Sequence, residues 1–249
     1  VAVVHAETST GVRLELAPWS ELARDHGALL AADCVTSLGC IPVELDRQGV
    51  DAAWSCSQKG LSCTPGLAPV SFSPRAVERI RARTRKVQSL YLDLQLLLDF
   101  WSEPHGYHHT ISSNLVCALH EACRLLLERG LDARYAQIAL HSKALCAGLA
   151  ALDMELVVAA EQRLPQLNVV RIPAGVAALA LRTPLLARHG IEIGGGLGAF
   201  KGNVWRLGLM GAGANERNVL LVLAALRDVL GAHGADPLAA AQRIYDSAR

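Results

Sequence analysis

The sequence predicts an α/β fold, in which a mostly parallel sheet precedes a smaller α+β unit. In the first part of the 249-residue chain, short apolar runs that end in polar turns alternate with helical patterns, which is typical of parallel sheets. In the second part, long helical patterns come first, and short strands then alternate with helices. The hydrophobic content of 51% is enough for the chain to bury a large core. We therefore predict a sheet domain over residues 1–110 and a second, α+β domain over residues 111–249.

The first domain is predicted to alternate strands and helices. Strands are predicted over residues 1–5, 28–33, 51–55 and 67–72, and helices begin near Pro18 and Pro74. Gly27 ends the first helix, and Ser73 caps the second because its hydroxyl can accept a hydrogen bond from the first turn. Pro69 has no N–H to donate, so its strand is expected at the edge of the sheet. Residues 41–45 are expected to form an irregular connection.

The second domain is predicted to begin with a long interdomain helix. Apolar residues recur at helical spacing from Asn114 to about Arg129, and Gly130 ends that helix. Further helices are predicted over residues 132–149, 184–188 and 218–230 and in the Ala-rich tail from residue 235, with strands over residues 167–172, 191–193 and 204–209. This order indicates a small sheet covered by helices.

A carboxylate and an amine follow neighbouring strands of the first domain. Asp33 ends one apolar run, and Lys59 lies in the polar turn after the next. In an open α/β sheet, ligands bind outside the carboxyl ends of parallel strands, so both residues are expected at one edge. Lysine loses its proton readily on partial burial, and its free amine can condense with a carbonyl. Lys59 alone favours an ordinary surface lysine at the end of a strand, but the pair favours a cofactor with a pyridine ring and an aldehyde.

Several motifs resemble, in order, those of the alanine–glyoxylate (serine–pyruvate) aminotransferase family. They are Glu7-Thr8-Ser9-Thr10-Gly11-Val12, Asp33-Cys34-Val35-Thr36-Ser37-Leu38-Gly39, Ser57-Gln58-Lys59, Pro65-Gly66, Tyr107-His108-His109-Thr110 and Val204-Trp205-Arg206-Leu207-Gly208. That family consists of class V pyridoxal-phosphate enzymes of fold type I. The resemblance covers nearly the whole chain, but family members carry a further segment before the first strand. The chain is therefore expected to be a fragment without the N-terminal segment.

The resemblance implies a role for each matching polar residue. Lys59 would form a Schiff base with pyridoxal 5'-phosphate and later move the proton at the substrate Cα. Asp33 would keep the ring nitrogen protonated, and Gln58 would support the ring or the phosphate. Thr8 would lie against cofactor and substrate, and Arg206 would bind the substrate carboxylate. The implied reaction moves an amino group from alanine or serine to glyoxylate or pyruvate, and the sequence does not choose between these substrates.

The resemblance also implies a homodimer with shared active sites. Tyr107 and Thr110 would donate hydroxyl hydrogen bonds to the cofactor phosphate of the neighbouring subunit. Upstream of them, residues 90–101 are densely apolar and precede a Pro/Gly break at 102–106. We expect this apolar stretch to pack against another subunit or against the missing segment.

Two further motifs have competing explanations. Arg206 lies in an apolar strand, where a buried acid is the alternative to a substrate carboxylate as its partner. The Gly-rich run at 194–200 is similar to a dinucleotide fingerprint, which requires a helix directly after it. A strand is predicted there instead, so we expect these glycines to let a loop bend past the active site.

Composition narrows the remaining classes of function. The net charge of +1 gives no nucleic-acid footprint, and the basic run at 79–86 is interpreted as a solvated helix face. His108 and His109 do not indicate a metal site, because neighbours on a strand or helix point apart and no third ligand follows at a usable spacing. Seven cysteines in mostly apolar segments suit a reduced, cytoplasmic location, and no segment is apolar enough to span a membrane.

Two alternatives remain open at this stage. The chain can be a catalytically incompetent fragment that keeps the fold but does not complete a cofactor site. It can also belong to a related pyridoxal-phosphate lyase, whose lysine and aspartate would look the same.

Overall fold

The computed structural model describes residues 1–102, 106–173, 176–231 and 234–249. Its first half contains the elements β1 Ala2–Val4, β2 Ala6–Glu7, β3 Val12–Arg13, α1 Ala17–Asp25, β4 Ala31–Asp33, α2 Leu45–Gln48, β5 Ala52–Trp54, β6 Val70–Phe72, α3 Pro74–Arg81 and α4 Leu94–Trp101. The four predicted strands and the two predicted helix starts are confirmed. The β2–β3 hairpin and α2 were not predicted, because elements of two to four residues are too short to show a periodicity.

The four-stranded sheet has the order β1-β4-β5-β6. Strands β1, β4 and β5 are parallel, with Val4 opposite Asp33 and Asp33 opposite Trp54. Strand β6 runs antiparallel to β5 and forms the edge, as predicted from Pro69. The Pro69 carbonyl accepts a hydrogen bond from the Ser55 N–H at 2.9 Å, so the proline contributes only the group that it has.

The amino-terminal ends of β4 and β5 are tied to α3 through buried Asp51. The Ser73 hydroxyl caps α3 by accepting from the Ala76 N–H at 3.1 Å, and it donates to Asp51 at 2.9 Å. The Asp51 carboxylate also accepts from the Leu30 N–H and from the Arg75 guanidinium. Burial by itself would raise the pKa of Asp51, but these hydrogen bonds outweigh it and the pKa is lowered. The starts of β4, β5 and α3 are thereby held together.

The second half contains α5 Ser113–Arg129, α6 Leu131–Ala151, β7 Leu167–Arg171, α7 Ala178–His189, β8 Gly194–Gly195, β9 Val204–Gly208, α8 Glu216–Leu230 and α9 Pro237–Asp246. Its strands form an antiparallel sheet of order β7-β9-β8. Fully buried Trp205 on β9 lies in a core that also contains Ile138 and Leu145 of α6 and Leu223 of α8. The expected small α+β unit is present, while the boundary near residue 110 stays a prediction.

Two predicted elements of the second half need correction. The strand predicted over 191–193 is wrong, because the residues that pair with β9 are Gly194 and Gly195. The Ile193 carbonyl instead accepts a hydrogen bond from Arg182 Nε at 2.8 Å. The helix predicted over 184–188 begins earlier, at Ala178, so Pro184 lies inside it rather than in its first turn.

Much of the apolar surface predicted to face a partner is exposed. Leu90, Leu92 and Trp101 are 66%, 68% and 67% exposed, and α5 has no buried residue. The break predicted over 102–106 lies partly outside the described residues. Within the described ranges, no helix combines the length and the apolar character needed to cross a membrane. All seven cysteines are free thiols.

A buried histidine links α6 to the C-terminal helix α9. His141 Nδ1 lies 3.0 Å from the Tyr245 hydroxyl, and the two rings meet edge to face at 5.7 Å. His141 Nε2 is buried and has no partner among the described residues. Burial lowers the pKa of His141, and it also lowers that of His5. Burial therefore favours the neutral form of both imidazoles in the folded chain.

This burial predicts a loss of stability in mild acid. Because the folded-state pKa of His141 lies below the unfolded value of about 6.5, the unfolded chain binds more protons as the pH falls through that value. The urea midpoint should therefore fall below about pH 6.5, and His141→Gln should reduce the size of that fall. The exposed His26 provides the control, and equal pH profiles for His141→Gln and His26→Gln would contradict this account.

Candidate active site

The parallel strands bring the two predicted catalytic residues to one edge of the sheet. Strand pairing continues past the strand ends, since the His5 N–H donates to the Asp33 carbonyl at 3.0 Å and the Cys34 N–H donates to the Trp54 carbonyl at 2.8 Å. The chain after Asp33 and the chain that leads to Lys59 therefore leave the sheet side by side. This is the arrangement expected for a ligand site at the carboxyl ends of parallel strands.

A pair of glycines lets the two loops touch. A Cβ atom at Gly60 would lie 2.1 Å from the Leu38 carbonyl oxygen, which no side chain can tolerate. On the other loop, Gly39 has φ +75° and its Cβ position lies 3.0 Å from the Gly60 carbonyl. Because the contact is backbone on backbone, it sets where the Lys59 turn lies relative to the end of β4.

The Lys59 side chain is half-buried and has no acid partner among the described residues. The Ser62 N–H donates to the Lys59 carbonyl at 3.0 Å and closes the turn. Within the described part of the chain, no carboxylate forms an ion pair with the Lys59 amine. The neighbouring Gln58 is exposed. The Lys59 amine therefore lies in the turn at the sheet edge without an ion pair to any described acid.

The Asp33 carboxylate is held at the strand end. Its Oδ1 accepts a hydrogen bond from the Val35 N–H at 2.8 Å, and the side chain is half-buried. A fixed carboxylate in this position can stabilise a proton on a basic nitrogen. Asp33 and Lys59 thus follow neighbouring parallel strands at the same edge of the sheet, as predicted.

Arg206 joins the second sheet to this edge. On β9, its Nε donates to the Gly195 carbonyl at 2.7 Å and its Nη1 donates to the Thr8 carbonyl at 3.0 Å. Both acceptors are neutral, and among the described residues no acid forms an ion pair with Arg206. The alternative of a buried acid partner therefore finds no support in this part of the chain. The guanidinium is oriented by the backbone while its charge is left for a ligand.

Thr8 lies in the turn of the β2–β3 hairpin, which follows the carboxyl end of β1. Glu7 holds this turn, because its Oε1 accepts from the Ser9 N–H at 2.7 Å and its carbonyl accepts from the Gly11 N–H at 2.8 Å. The Gly11 carbonyl in turn accepts from Leu164 N–H at 3.0 Å. The hairpin is thus attached to the second half of the chain, where Arg206 reaches it.

The Gly-rich run supports Arg206 rather than a nucleotide. It folds back on itself, since a Cβ atom at Gly196 would lie 2.0 Å from the Phe200 carbonyl oxygen. A strand, β9, follows the run, as the sequence predicted. The glycines let β8 pair closely with β9 and present the Gly195 carbonyl to the arginine.

Tyr107 and Thr110 contact each other through their hydroxyl groups. Their hydroxyl oxygens are 3.1 Å from each other, and Tyr107 is 82% exposed. In the described part of the chain, no hydrogen bond joins either hydroxyl to Asp33, Gln58 or Lys59.

His108 and His109 were predicted to point apart, and this prediction is wrong. Their Nδ1 atoms lie 2.7 Å apart, and His108 Nε2 lies 2.8 Å from the Leu90 carbonyl oxygen. The residues lie in neither a strand nor a helix, so the geometry on which the argument rested does not apply. Among the described residues, no group of three or more His, Cys, Asp and Glu side chains is arranged to hold a metal.

Two buried polar residues near this edge were not predicted from the sequence. Gln166 is fully buried, and its Nε2 donates to the Thr36 carbonyl at 2.8 Å on the loop after β4. Arg134 is 4% exposed and lies one turn before Ile138 on the buried face of α6. A charged residue at a core position of a helical pattern was the available signal for Arg134. No local pattern marks Gln166.

The comparisons with known proteins agree with this geometry. The family model for Aminotransferase class-V matches residues 1–207. The (S)-ureidoglycine–glyoxylate transaminase of Bacillus subtilis is 36% identical over all of this chain and 65% of its own length, and its crystal structure superposes with a TM-score of 0.95. The alanine–glyoxylate aminotransferase of Oryctolagus cuniculus is 38% identical over 92% of this chain and 59% of its own length.

A solved structure supports the same assignment. The alanine–glyoxylate aminotransferase of Nostoc sp. superposes with a TM-score of 0.90 at 46% identity, and the match covers 92% of this chain and 61% of that one. The chain thus spans less than two thirds of the length of these relatives. The predicted fold type I architecture is confirmed by these neighbours. The sheet edge and the family match lead to one conclusion: this chain belongs to the Aminotransferase class-V family.

Proposed function

We propose that this chain is part of a pyridoxal-phosphate-dependent aminotransferase that moves an amino group from alanine or serine to glyoxylate or pyruvate. One observation carries the proposal. Thr8, Asp33 and Lys59 follow the carboxyl ends of three neighbouring parallel strands, and Arg206 reaches the first of them from the other sheet. The names of the relatives, which include glyoxylate, favour a small 2-oxo acid as acceptor.

The residues present fit the cofactor. Asp33 is a carboxylate fixed by a backbone hydrogen bond, and Lys59 is a half-buried amine with no ion pair among the described residues. Pyridoxal phosphate supplies an aldehyde and a ring that accepts electrons. Lys59 would hold the aldehyde carbon, Asp33 the ring nitrogen, and Gln58 and Thr8 the ring or phosphate.

The chain's own residues divide the work between binding and proton transfer. Arg206 binds the substrate carboxylate and orients the amino acid, because its guanidinium is already aligned by two carbonyls. The Lys59 amine accepts and returns the proton at the substrate Cα, which requires it to be neutral during that step. The Asp33 carboxylate would stabilise positive charge at the ring nitrogen.

Reductive labelling tests the role of Lys59 directly. When the protein is incubated with pyridoxal phosphate and treated with borohydride, reduction should fix a pyridoxyl group on Lys59, as located by mass spectrometry of tryptic peptides. Lys59→Arg should abolish the label. A label on Lys86, Lys143 or Lys201 would refute the assignment, and no label at all would favour an incompetent fragment.

Arg206→Lys should weaken amino-acid binding by about 1–3 kcal/mol, because a bidentate contact becomes a point contact. Lysine also cannot donate to the Gly195 and Thr8 carbonyls in the same fixed geometry. The measurement is the dissociation constant for alanine, together with the borohydride label on Lys59, which should persist. Unchanged affinity for alanine would exclude the carboxylate role.

A homodimer with shared sites is part of the proposal. Tyr107 and Thr110 are exposed and contact each other, so both hydroxyls are available to a second subunit. In the segment at 90–101, Leu90, Leu92 and Trp101 are exposed. An interface over this segment would cover the apolar surface and bring both hydroxyls to the partner's cofactor phosphate.

Complementation between two inactive variants tests the shared site. Lys59→Ala chains mixed with Tyr107→Phe/Thr110→Ala chains should form hybrid dimers with one intact site and one doubly defective site. Transaminase activity should rise towards roughly a quarter of wild type, because roughly half of the dimers in an equal mixture are hybrids. If subunit exchange is confirmed and the activity stays at the average of the parents, the two hydroxyls serve their own subunit.

A further inference from the structure

A cavity of about 630 Å³ lies behind the Lys59 turn. Its wall is formed by Gly60 to Ser62, by one face of α5, by Arg134 at the start of α6 and by the short segment that contains Gly211. None of the roles proposed for the active-site residues uses this space.

Arg134 is a buried charge in the cavity wall, and none of the described acids is its counter-ion. The side chain is 4% exposed, and no acid in the described part of the chain forms an ion pair with it. Its Nη2 donates to the Gly211 carbonyl, and its Nε is buried with no hydrogen-bond partner. Burial lowers the pKa of Arg134, so the charged form is under strain. A buried guanidinium in this condition is stabilised when an anion reaches it.

A second arginine adds to the positive charge. Arg129 lines the same cavity, and its Nη1 lies 2.8 Å from Gln137 Oε1, which Arg134 Nη1 also approaches at 3.4 Å. One neutral amide oxygen thus serves two guanidinium groups and compensates neither charge. Glu128 also lines the cavity, but its carboxylate is paired with Arg124 at 3.0 Å. Because Glu128 would repel a second negative charge, the cavity favours a monoanion over a dianion.

The rest of the wall is apolar. Leu61, Ala122, Leu125 and Leu126 line the cavity, and Leu125 is 52% exposed although it lies on the helix face that looks into it. A ligand that covered these side chains would remove apolar surface from water. Charge at one end and apolar surface along the side are the features of a small amphiphilic molecule.

We propose that this cavity binds a small monocarboxylate with an apolar body, whose carboxylate pairs with Arg134 and Arg129 and whose body covers Leu125 and Leu126. The site is separate from the substrate carboxylate site at Arg206. It concerns binding alone, so it stands whether or not the proposed transaminase reaction is confirmed.

The proposed site is connected to the Lys59 turn through the backbone. Arg134 donates to the Gly211 carbonyl, the next residue, Ala212, donates its N–H to Ser62 Oγ at 2.8 Å, and the Ser62 N–H donates to the Lys59 carbonyl. The 211 segment is packed closely here, because a Cβ atom at Gly211 would lie 2.7 Å from Ser62 Oγ. A carboxylate that holds Arg134 in place would therefore also steady this turn.

The test uses sodium hexanoate as the ligand, titrated by calorimetry against sodium chloride of equal ionic strength. The titrations are made in the Arg206→Gln background, which removes the substrate carboxylate site. One hexanoate should bind per chain. Arg134→Gln should weaken the binding at least tenfold, Arg134→Lys should restore part of it, and the uncharged hexanamide should bind at least tenfold more weakly than hexanoate.

A matched pair of surface variants keeps the test decisive if Arg134→Gln does not fold. Leu125→Glu places a negative charge in the cavity, whereas Leu127→Glu places it on the same helix outside the cavity wall; Leu127 is 68% exposed. Only Leu125→Glu should abolish hexanoate binding, and only chains that bind should show slower hydrogen exchange at the Ser62 amide. The proposal is overturned if hexanoate does not bind, or if Arg134→Gln and Leu125→Glu leave its affinity unchanged.

Discussion

The site depends on a backbone contact between the loops that follow β4 and β5. Gly39 and Gly60 meet so closely that a side chain at Gly60 would collide with the Leu38 carbonyl. This contact places the turn that carries Lys59 against the loop that begins at Asp33. A backbone contact is stiffer than one between side chains, because it has no rotamers to relax it. The position of the amine relative to the carboxylate is therefore a property of the sheet and its glycines.

Two arginines show how the fold prepares positive charge for ligands. Arg206 and Arg134 both donate to backbone carbonyls, and neither forms an ion pair with a described acid. A carbonyl orients a guanidinium but does not cancel its charge, whereas a carboxylate does both. Arg206 has an assigned task in the proposed reaction. Arg134 has the same physical condition without a task, which is why its cavity is the place to look for a second ligand.

The described residues form two well-buried cores, but they also leave some apolar surface exposed. The cores under the two sheets are closed, with Trp205, Leu30 and Leu223 fully or almost fully buried. In contrast, α5 buries none of its residues, and the segment around α4 exposes large apolar side chains. The large apolar side chains around α4 are typical of a surface that packs against other polypeptide.

The sequence by itself determined the strands of the first sheet, the edge position of β6 and the shared edge of Asp33 and Lys59. These features follow from local periodicity, from proline and serine chemistry and from the direction of parallel strands. Tertiary structure alone decided that β8 forms at Gly194–Gly195 rather than at 191–193, and that the partners of Arg206 are the Gly195 and Thr8 carbonyls. Thr8 and Arg206 are 198 residues apart. Contacts between distant backbone groups leave no pattern in the residues that make them, because every residue carries the same carbonyl.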